Sequence, residues 1–279
     1  ENRALLDQIR SQPSAEASKE IVSTVLSEHK LTRTKEYTLF MGAMGRNQWW
    51  QEALAFLAER QGRDLPAELD VCNAAMDALG YSGQWQRTLE LLEGIWQEEL
   101  QPDKISYDLA MKACERAGEW QHTLSLLDEM QEWRRRDFVS YSIAMRACAR
   151  GRRWQHALEL MDEMKQWEIK PDWRLFNIVI LMMGHGKQWR TAVGLLHDMW
   201  QNVVLPDAMT YSGVISATLQ SEAWHEAVRL LAEMRSKGYS PDAETYSAVA
   251  RACRRCGPTD LAEKLEGDAA HASRMVGAR

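Results

Sequence analysis

Apolar residues recur along most of the chain at the spacing of one helix face. Between residues 104 and 137, for example, Tyr107, Ala110, Met111 and Cys114 form one apolar run, and a second run starts at a tryptophan. Elsewhere glycine commonly follows the first kind of run, and proline follows the second. Because glycine readily ends a helix and proline cannot extend one, each pair of runs predicts two helices joined by a short turn.

This pair of helices is repeated at a nearly fixed interval. The second helix begins with a tryptophan that recurs every 35 residues, once after 34, and Ala or Thr follows three positions later. The tryptophans are Trp50, Trp85, Trp120, Trp154, Trp189 and Trp224. A fixed interval of this length is typical of stacked supersecondary units, so the sequence predicts an all-α solenoid with a continuous core.

The interval divides the chain into repeats, whose positions are numbered from 1 to 35 below. Six complete repeats are predicted: 34–68, 69–103, 104–137, 138–172, 173–207 and 208–242. Residues 1–33 fit the same frame as a degenerate N-terminal repeat or cap, and residues 243–267 form a partial C-terminal repeat. Terminal repeats are expected to be atypical because one face has no neighbour. Residues 268–279 are small and polar, and they are predicted to be a flexible tail.

The residues at the ends of the runs predict how the helices begin and end. A hydroxyl residue precedes the aromatic residue of the first helix and is predicted to be its N-cap, as in Ser106, Ser140, Thr210 and Thr245. The glycines after the first run are expected to take the left-handed conformation that ends a helix. They are Gly83, Gly118, Gly151, Gly186 and Gly257.

The tandem pattern resembles that of P-type pentatricopeptide repeat (PPR) proteins. An aromatic residue at position 4, alanine at 20, methionine at 27 and a Pro-Asp ending recur together, as in Val139-Ser-Tyr-Ser and Lys170-Pro-Asp. Tetratricopeptide repeats have a 34-residue period and lack the Pro-Asp ending. The resemblance covers roughly residues 34–260, and it implies a right-handed superhelical solenoid of helix-turn-helix repeats. Tryptophan at position 17 departs from the polar residue usual in the family.

The resemblance also implies which side chains contact RNA. In the family, positions 5 and 35 of each repeat contact one base, and short polar side chains can reach the Watson–Crick edge of an unstacked base. The implied base-reading pairs are Asn73/Asp103, Ser142/Asp172, Asn177/Asp207 and Ser212/Asp242, whereas Thr38/Glu68 and Asp108/Asp137 match no familiar pairing. By resemblance, Asn with Asp favours U and Ser with Asp favours G. The implied RNA is therefore unknown–U–unknown–G–U–G from 5′ to 3′.

A structural alternative explains the same aspartates without RNA. An aspartate after proline starts turns and caps helices through its own side chain. Both interpretations stay open at the level of the sequence.

Two further sets of residues are implied to contact RNA. Position 2 carries an apolar residue that would sandwich bases in three repeats, at Ile105, Val139 and Met209. Positions 9, 12 and 13 carry eight basic residues against two acidic ones, on a chain of net charge −6. This asymmetry favours a polyanion, although the acids at positions 5 and 35 offset it and a solvated helix face is an alternative. The implied phosphate-binding residues are Arg46, Arg116, Arg150 and Arg255.

Other residues that attract attention have structural explanations. The tryptophans could stack on bases, but packing between neighbouring repeats is the better account, because each begins the outer helix. Cys253 and Cys256 resemble half of a zinc site, but no second pair lies nearby and Cys253 shares the core position of Cys114 and Cys148. No catalytic motif stands out. We therefore expect no enzyme, no metal, no cofactor and no small-molecule substrate.

Two functions from different classes follow. The first is a sequence-selective single-stranded RNA-binding protein of an organelle, mitochondrion or chloroplast, that acts on transcript stability, processing or translation; the organelle is implied by the family. The second is a structural scaffold subunit that binds protein subunits or ribosomal RNA in a large organellar assembly, favoured by the acidic net charge and the two unmatched pairs. No apolar stretch is long enough to cross a membrane, so a soluble protein is expected.

Overall fold

The computed structural model is built of helices, and no strand occurs among the residues it describes, which are 38, 40–42, 44, 49–62, 68–98, 100–131 and 136–277. The helices are α1 (Trp50–Gly62), α2 (Leu69–Tyr81), α3 (Trp85–Gln97), α4 (Lys104–Ala117), α5 (Trp120–Gln131), α6 (Phe138–Arg150), α7 (Trp154–Gln166), α8 (Trp173–His185), α9 (Trp189–Gln201), α10 (Ala208–Gln220), α11 (Trp224–Ser236), α12 (Ala243–Cys256) and α13 (Thr259–Gly277). This confirms the all-α repeat fold. The predicted cap at residues 1–33 lies outside the described residues.

Even-numbered helices are the first helices of repeats, and odd-numbered helices are the second. The chain forms two compact units, residues 1–147 and 148–279. In the N-terminal unit, α2 packs against α3 of its own repeat and against α4 of the next. In the C-terminal unit, α10 packs in the same way against α11 and α12. A hairpin alone would leave half of its apolar surface in water, so this contact between repeats is what stabilises each one.

The cores of both units consist of the predicted apolar runs. In the N-terminal unit, Tyr107, Ala110, Met111 and Cys114 are all buried, as the periodicity predicts. In the C-terminal unit, Phe176, Ile180, Tyr211 and Cys253 are buried at matching repeat positions. Burial of the cysteines raises the pKa of the Cys114 thiol to about 12 and that of the Cys148 thiol to about 11. These cysteines are packing residues, as predicted, and are poor nucleophiles at neutral pH.

The helix N-caps differ from the prediction. The cap residues of α4, α8, α10 and α12 are Asp103, Asp172, Asp207 and Asp242, each of which accepts a hydrogen bond from the backbone N–H three residues later. The predicted caps Ser106 and Thr210 are instead the third residues of their helices, and both complete capping boxes with the aspartates. The reason is that the aspartate of each Pro-Asp ending has the extended backbone that an N-cap needs, whereas the hydroxyl residue three positions later is already helical.

The left-handed residue between the paired helices stands at position 15 in five repeats. Gly83 and Gly118 occupy it, as predicted, with φ of 72° and 84°. Gly151 and Gly186 lie one residue before this position, so the left-handed residues of their repeats are Arg152 and Lys187, respectively. In the repeat after these two, the left-handed residue is Glu222. The prediction for Gly257 is also wrong, because its φ is −130°. The geometry of the turn requires a left-handed residue at position 15. Where that residue is not glycine, the left-handed backbone costs about 1–2 kcal/mol of stability.

The tryptophans at position 17 pack between neighbouring repeats, which confirms the structural interpretation. In the N-terminal unit, the Arg87 guanidinium lies 4.6 Å from the centre of the Trp50 ring, and the rings of Trp85 and His122 are 4.8 Å apart. Arg87 and His122 both occupy position 19 of the repeat that follows the tryptophan. The rings of Trp50 and Trp85 are half-buried and cover these two junctions at the surface.

The C-terminal segment departs from the predicted flexible tail. Residues 268–277 belong to α13, which packs against α12. Ala262, Leu265 and Ala269 are buried there, and Arg235 of α11 forms an ion pair with Asp268 at 3.4 Å. Alanine has the highest helix propensity, so the small residues of this segment extend the helix where their low hydrophobicity suggested a loose end.

Candidate nucleic-acid interface

The apolar residues at position 2 are exposed, although exposure is unfavourable for side chains of this kind. Ile105 is 57% exposed, Val139 41% and Met209 63%. Each is the second residue of its first helix, so it projects beside the capped helix end. The implied base-sandwiching residues are therefore accessible to a ligand, and their role toward RNA stays a prediction.

The pair Asn73/Asp103 in the N-terminal unit is joined through a third residue. Asn73 donates from Nδ2 to Asp103 Oδ1 at 3.3 Å, and the Ser106 hydroxyl donates to Asn73 Oδ1 at 2.7 Å. The same hydroxyl lies 2.9 Å from Asp103 Oδ1. Burial alone would raise the pKa of the Asp103 carboxyl, but hydrogen bonds from the Ser106 N–H and hydroxyl and from the Asn73 amide outweigh it, so the pKa is lowered.

The unmatched pair Asp108/Asp137 forms a charge cluster with a residue that the sequence did not single out. Lys104 Nζ lies 2.5 Å from Asp108 Oδ2 and 3.1 Å from Asp137 Oδ2. The Ser140 hydroxyl donates to Asp108 Oδ1 at 2.8 Å. Burial lowers the pKa of the lysine, but its bonds to the two carboxylates raise it overall. Lys104 was not predicted because the repeat pattern assigns no role to position 1. The only signal for a cation in the sequence was the pair of acids, Asp108 and Asp137, that matched no familiar pairing.

The pair Asn177/Asp207 in the C-terminal unit repeats the hydroxyl contacts of Asn73/Asp103 but lacks the hydrogen bond between the amide and the carboxylate. The Thr210 hydroxyl lies 2.7 Å from Asn177 Oδ1 and 2.8 Å from Asp207 Oδ1. Asn177 is 6% exposed, and its Nδ2 is buried without an acceptor among the described residues. An unmet buried donor costs about 1–3 kcal/mol, which a ligand that supplies an acceptor would recover.

The two serine pairs differ from each other. In the C-terminal unit, Ser212 Oγ lies 3.0 Å from Thr245 Oγ1, and Asp242 caps the helix that contains Thr245. In the N-terminal unit, Ser142 donates to the carbonyl of Phe138 in its own helix at 2.6 Å. Asp172, its predicted partner at position 35, caps α8. The structure thus confirms the capping role of the position-35 aspartates, and their contact with bases stays a prediction.

The predicted phosphate-binding arginines have different surroundings. Arg116 stacks over Tyr81, with its guanidinium carbon 4.2 Å from the ring centre, and Arg150 is exposed in the last turn of α6. Arg255 is exposed and lines a cavity of about 610 Å³ together with Arg251 and Arg254. Arg46 lies outside the described residues. Three arginines thus lie together at the C-terminal end of the predicted interface, and Arg254 among them is ion-paired with Glu266.

Two further features concern ligands. Within the described ranges, no group of three or more His, Cys, Asp or Glu side chains could hold a metal ion. Among the helices described, none has both the length and the apolar character that crossing a membrane requires.

Trp173 at position 1 is an exposed aromatic residue that was not predicted as an RNA contact, because the family pattern assigns no role to that position. Its side chain is 45% exposed, and the Arg174 guanidinium lies 5.3 Å from its ring centre.

Comparison with known proteins identifies the type of repeat. A model of the PPR repeat family matches residues 136–181 and 206–255, and a single PPR repeat model matches residues 105–134. No curated protein matches the chain. The crystal structure of the pentatricopeptide repeat protein PPR10 from maize is similar over 96% of this chain and 46% of its own, at 19% identity and a TM-score of 0.64.

A second solved structure has the same fold. The PPR domain of Arabidopsis thaliana protein-only RNase P 1, determined in complex with tRNA, matches 64% of this chain and 95% of its own length at 12% identity and a TM-score of 0.55. At such identities the likeness shows the fold alone. This chain spans less than half of the maize protein's length. The tandem helical hairpins, the repeat-family matches and the shared fold together make the chain a member of the pentatricopeptide repeat proteins.

Proposed function

We propose that the chain binds single-stranded RNA in a sequence-selective manner, one base per repeat, through positions 2, 5 and 35. The observation that carries this proposal is the combination found in α4 and α10. In each, an exposed apolar side chain, Ile105 or Met209, lies on a helix whose capping aspartate is hydrogen-bonded to a polar network with the preceding position 5. An exposed apolar wedge beside polar groups suits an unstacked base, which has an apolar face and a polar edge.

Known relatives support RNA as the ligand class. The maize protein PPR10 has been crystallised with an 18-nt psaJ RNA element, and the RNase P relative with tRNA. Membership of the family further supports an organellar protein, in a mitochondrion or chloroplast, that acts on the stability, processing or translation of a transcript. The RNA word that the pairs imply is U–x–G–U–G, from Asn73 to Ser212.

The test is fluorescence anisotropy with a short RNA that carries U–x–G–U–G and a scrambled RNA of the same composition, each at several salt concentrations. Preferential binding of the matched RNA, with affinity that falls as salt rises, is the expected result. Equal binding of both RNAs would leave an electrostatic surface without base selectivity. No binding even at low salt would overturn the proposal.

A second candidate, a scaffold subunit of a large organellar assembly, is supported by exposed apolar residues outside the predicted interface. Trp167 is 56% exposed, Val203 84% and Leu205 67%, and all three lie in or beside the loops that follow second helices. Exposed residues of this kind favour a protein partner. Co-sedimentation of the chain with a large complex that survives nuclease treatment would support this candidate over the first.

A further inference from the structure

The hydroxyl at position 3 connects neighbouring repeats in both compact units. In the N-terminal unit, Ser106 contacts Asn73 and Ser140 contacts Asp108, at 2.7 and 2.8 Å. In the C-terminal unit the matching distances are 2.7 Å from Thr210 to Asn177 and 3.0 Å between Thr245 and Ser212. Each contact joins position 3 of one repeat to position 5 of the repeat before it. The recurrence in four repeats indicates a regular device of this chain.

The same hydroxyl also reaches the aspartate at position 35. The distances to the aspartate Oδ1 are 2.9 Å for Ser106, 3.3 Å for Ser140 and 2.8 Å for Thr210. The aspartate is itself held by the backbone N–H of the hydroxyl residue, so its carboxylate cannot move independently. One hydroxyl therefore fixes the relative placement of the two side chains predicted to contact a base.

This contact, together with the aspartate, determines how the asparagine amide is oriented. With Oδ1 of Asn73 held by Ser106, Nδ2 points to Asp103 at 3.3 Å; the reversed amide would place two acceptor oxygens together. In the second such repeat, Oδ1 of Asn177 is held by Thr210, and the buried Nδ2 has no acceptor among the residues described. In both pairs the amide oxygen therefore faces the hydroxyl, and the amide nitrogen lies on the other side of the side chain, beside a carboxylate that can only accept in the first pair.

We propose that the position-3 hydroxyl is a positioning residue for base selectivity, which it exerts by holding the position-5 side chain and the position-35 carboxylate in one fixed arrangement at each asparagine–aspartate pair; this rests on the proposed RNA-binding function. The Watson–Crick edges explain why order matters. Uracil and guanine carry a ring N–H beside a carbonyl oxygen, whereas cytosine and adenine carry a ring acceptor nitrogen beside an amino group. A fixed arrangement of the two side chains separates these two classes, and a pair that is free to reorient accepts both.

The test removes one hydroxyl and measures discrimination at one nucleotide. Thr210→Val is nearly isosteric and keeps the backbone N–H that Asp207 caps at 2.7 Å. Binding is measured with matched RNA and with RNA that has C in place of U opposite Asn177. We expect the preference for U over C to fall about tenfold at this nucleotide, within the range of a lost base-specific hydrogen-bond pair. Preference at the nucleotide opposite Ser212 should not change.

Three controls separate the possible outcomes. Thr210→Ser removes the methyl group but keeps the hydroxyl, so it should keep the preference for U over C. If Thr210→Val acted only through a loss of packing, Thr210→Ser would lower the preference as well. Ser106→Ala repeats the test at Asn73 and keeps the inference testable where Thr210→Val does not fold. Wild-type selectivity with unchanged U-over-C preference in both variants would overturn the inference and leave RNA binding intact. A wild-type chain without selectivity would overturn the proposed function itself.

Discussion

Gly186 lies against the indole of Trp154, so closely that a Cβ on the glycine would stand 2.7 Å from the Trp154 Cδ1 atom. Its φ of −81° is open to any residue, so space alone requires glycine here. Trp154 at position 17 of one repeat thus packs on the turn of the next repeat in the C-terminal unit.

Gly186→Ala should therefore destabilise the chain by about 1–3 kcal/mol, because the rigid indole cannot yield without moving the junction. Urea unfolding followed by tryptophan fluorescence measures the loss. Gly194→Ala is the matched control: nothing lies within 4 Å of its added Cβ, and in the middle of α9 alanine should stabilise by up to about 1 kcal/mol. Equal stability of Gly186→Ala and the wild type would contradict this packing.

Val203→Gly should stabilise the chain by about 1 kcal/mol. Val203 has a φ of 60° and is 84% exposed, so its branched side chain strains the backbone and contributes little packing. Gly238 holds the matching position of the next repeat, with a φ of 85°. Gly238→Val is the reciprocal variant and should lower the melting temperature, while Val203→Gly raises it.

Lys104→Met should make unfolding of the N-terminal unit less dependent on acid pH. Burial would raise the pKa of Asp137, but its bonds from Ser140 and Lys104 lower it below the ordinary 3.8. The resulting stabilisation is complete above that value and is lost as the pH falls through the lowered pKa. The variant should be less stable near neutral pH, since Asp108 is buried, and its stability should fall less between about pH 5 and 2.

The control for this variant is Lys165→Met in the C-terminal unit. Lys165 is half exposed and pairs with the exposed Asp162 at 3.8 Å and with Asp198 at 3.3 Å. Exposed pairs contribute about 0–1 kcal/mol, so a small effect is expected. A loss as large as that of Lys104→Met would indicate a general effect of removing charge.

Arg255→Ala should weaken binding to every RNA sequence alike, because a phosphate contact carries no base information. The slope of log K against log salt should become less steep by about 0.7, the value for one contact to a single strand. Arg150→Ala should act in the same way. Arg229→Ala, on the second helix α11 and paired with Glu226, is the control and should leave the slope unchanged.

Asn177→Ser should shift the preferred base at one nucleotide from U toward G, on the pairing implied by family resemblance. Competition between RNAs that differ at that nucleotide measures the shift. Asn202→Ser changes an exposed asparagine after α9 and should leave preference unaltered. An unshifted preference in Asn177→Ser would refute the implied pairing.

Periodicity was sufficient to predict the helices, their pairing and the buried residues, because burial of one helix face imposes spacing on the sequence. Contacts between consecutive repeats were harder to predict. Ser106 and Thr210 are of the residue types that favour N-cap positions, yet their hydroxyls lie between two side chains of the preceding repeat. Lys104 shows the same limit, since its role depends on two acids that lie 4 and 33 residues away in the sequence. These acids come together only because the start of α4 lies beside the start of α6.

The ion cluster around Lys104 has a consequence for how many transcripts the chain could distinguish. The carboxylate oxygens of Asp108 and Asp137 already accept from Lys104 and from the hydroxyl and backbone N–H of Ser140, so their repeat has little acceptor capacity left with which to prefer a base. On the proposed function, four defined bases then remain in the target. A word of that length recurs by chance about once in every few hundred nucleotides, so many sites compete for the protein in any RNA pool. Occupancy of a single transcript would therefore depend on RNA abundance and unpaired structure as much as on base identity.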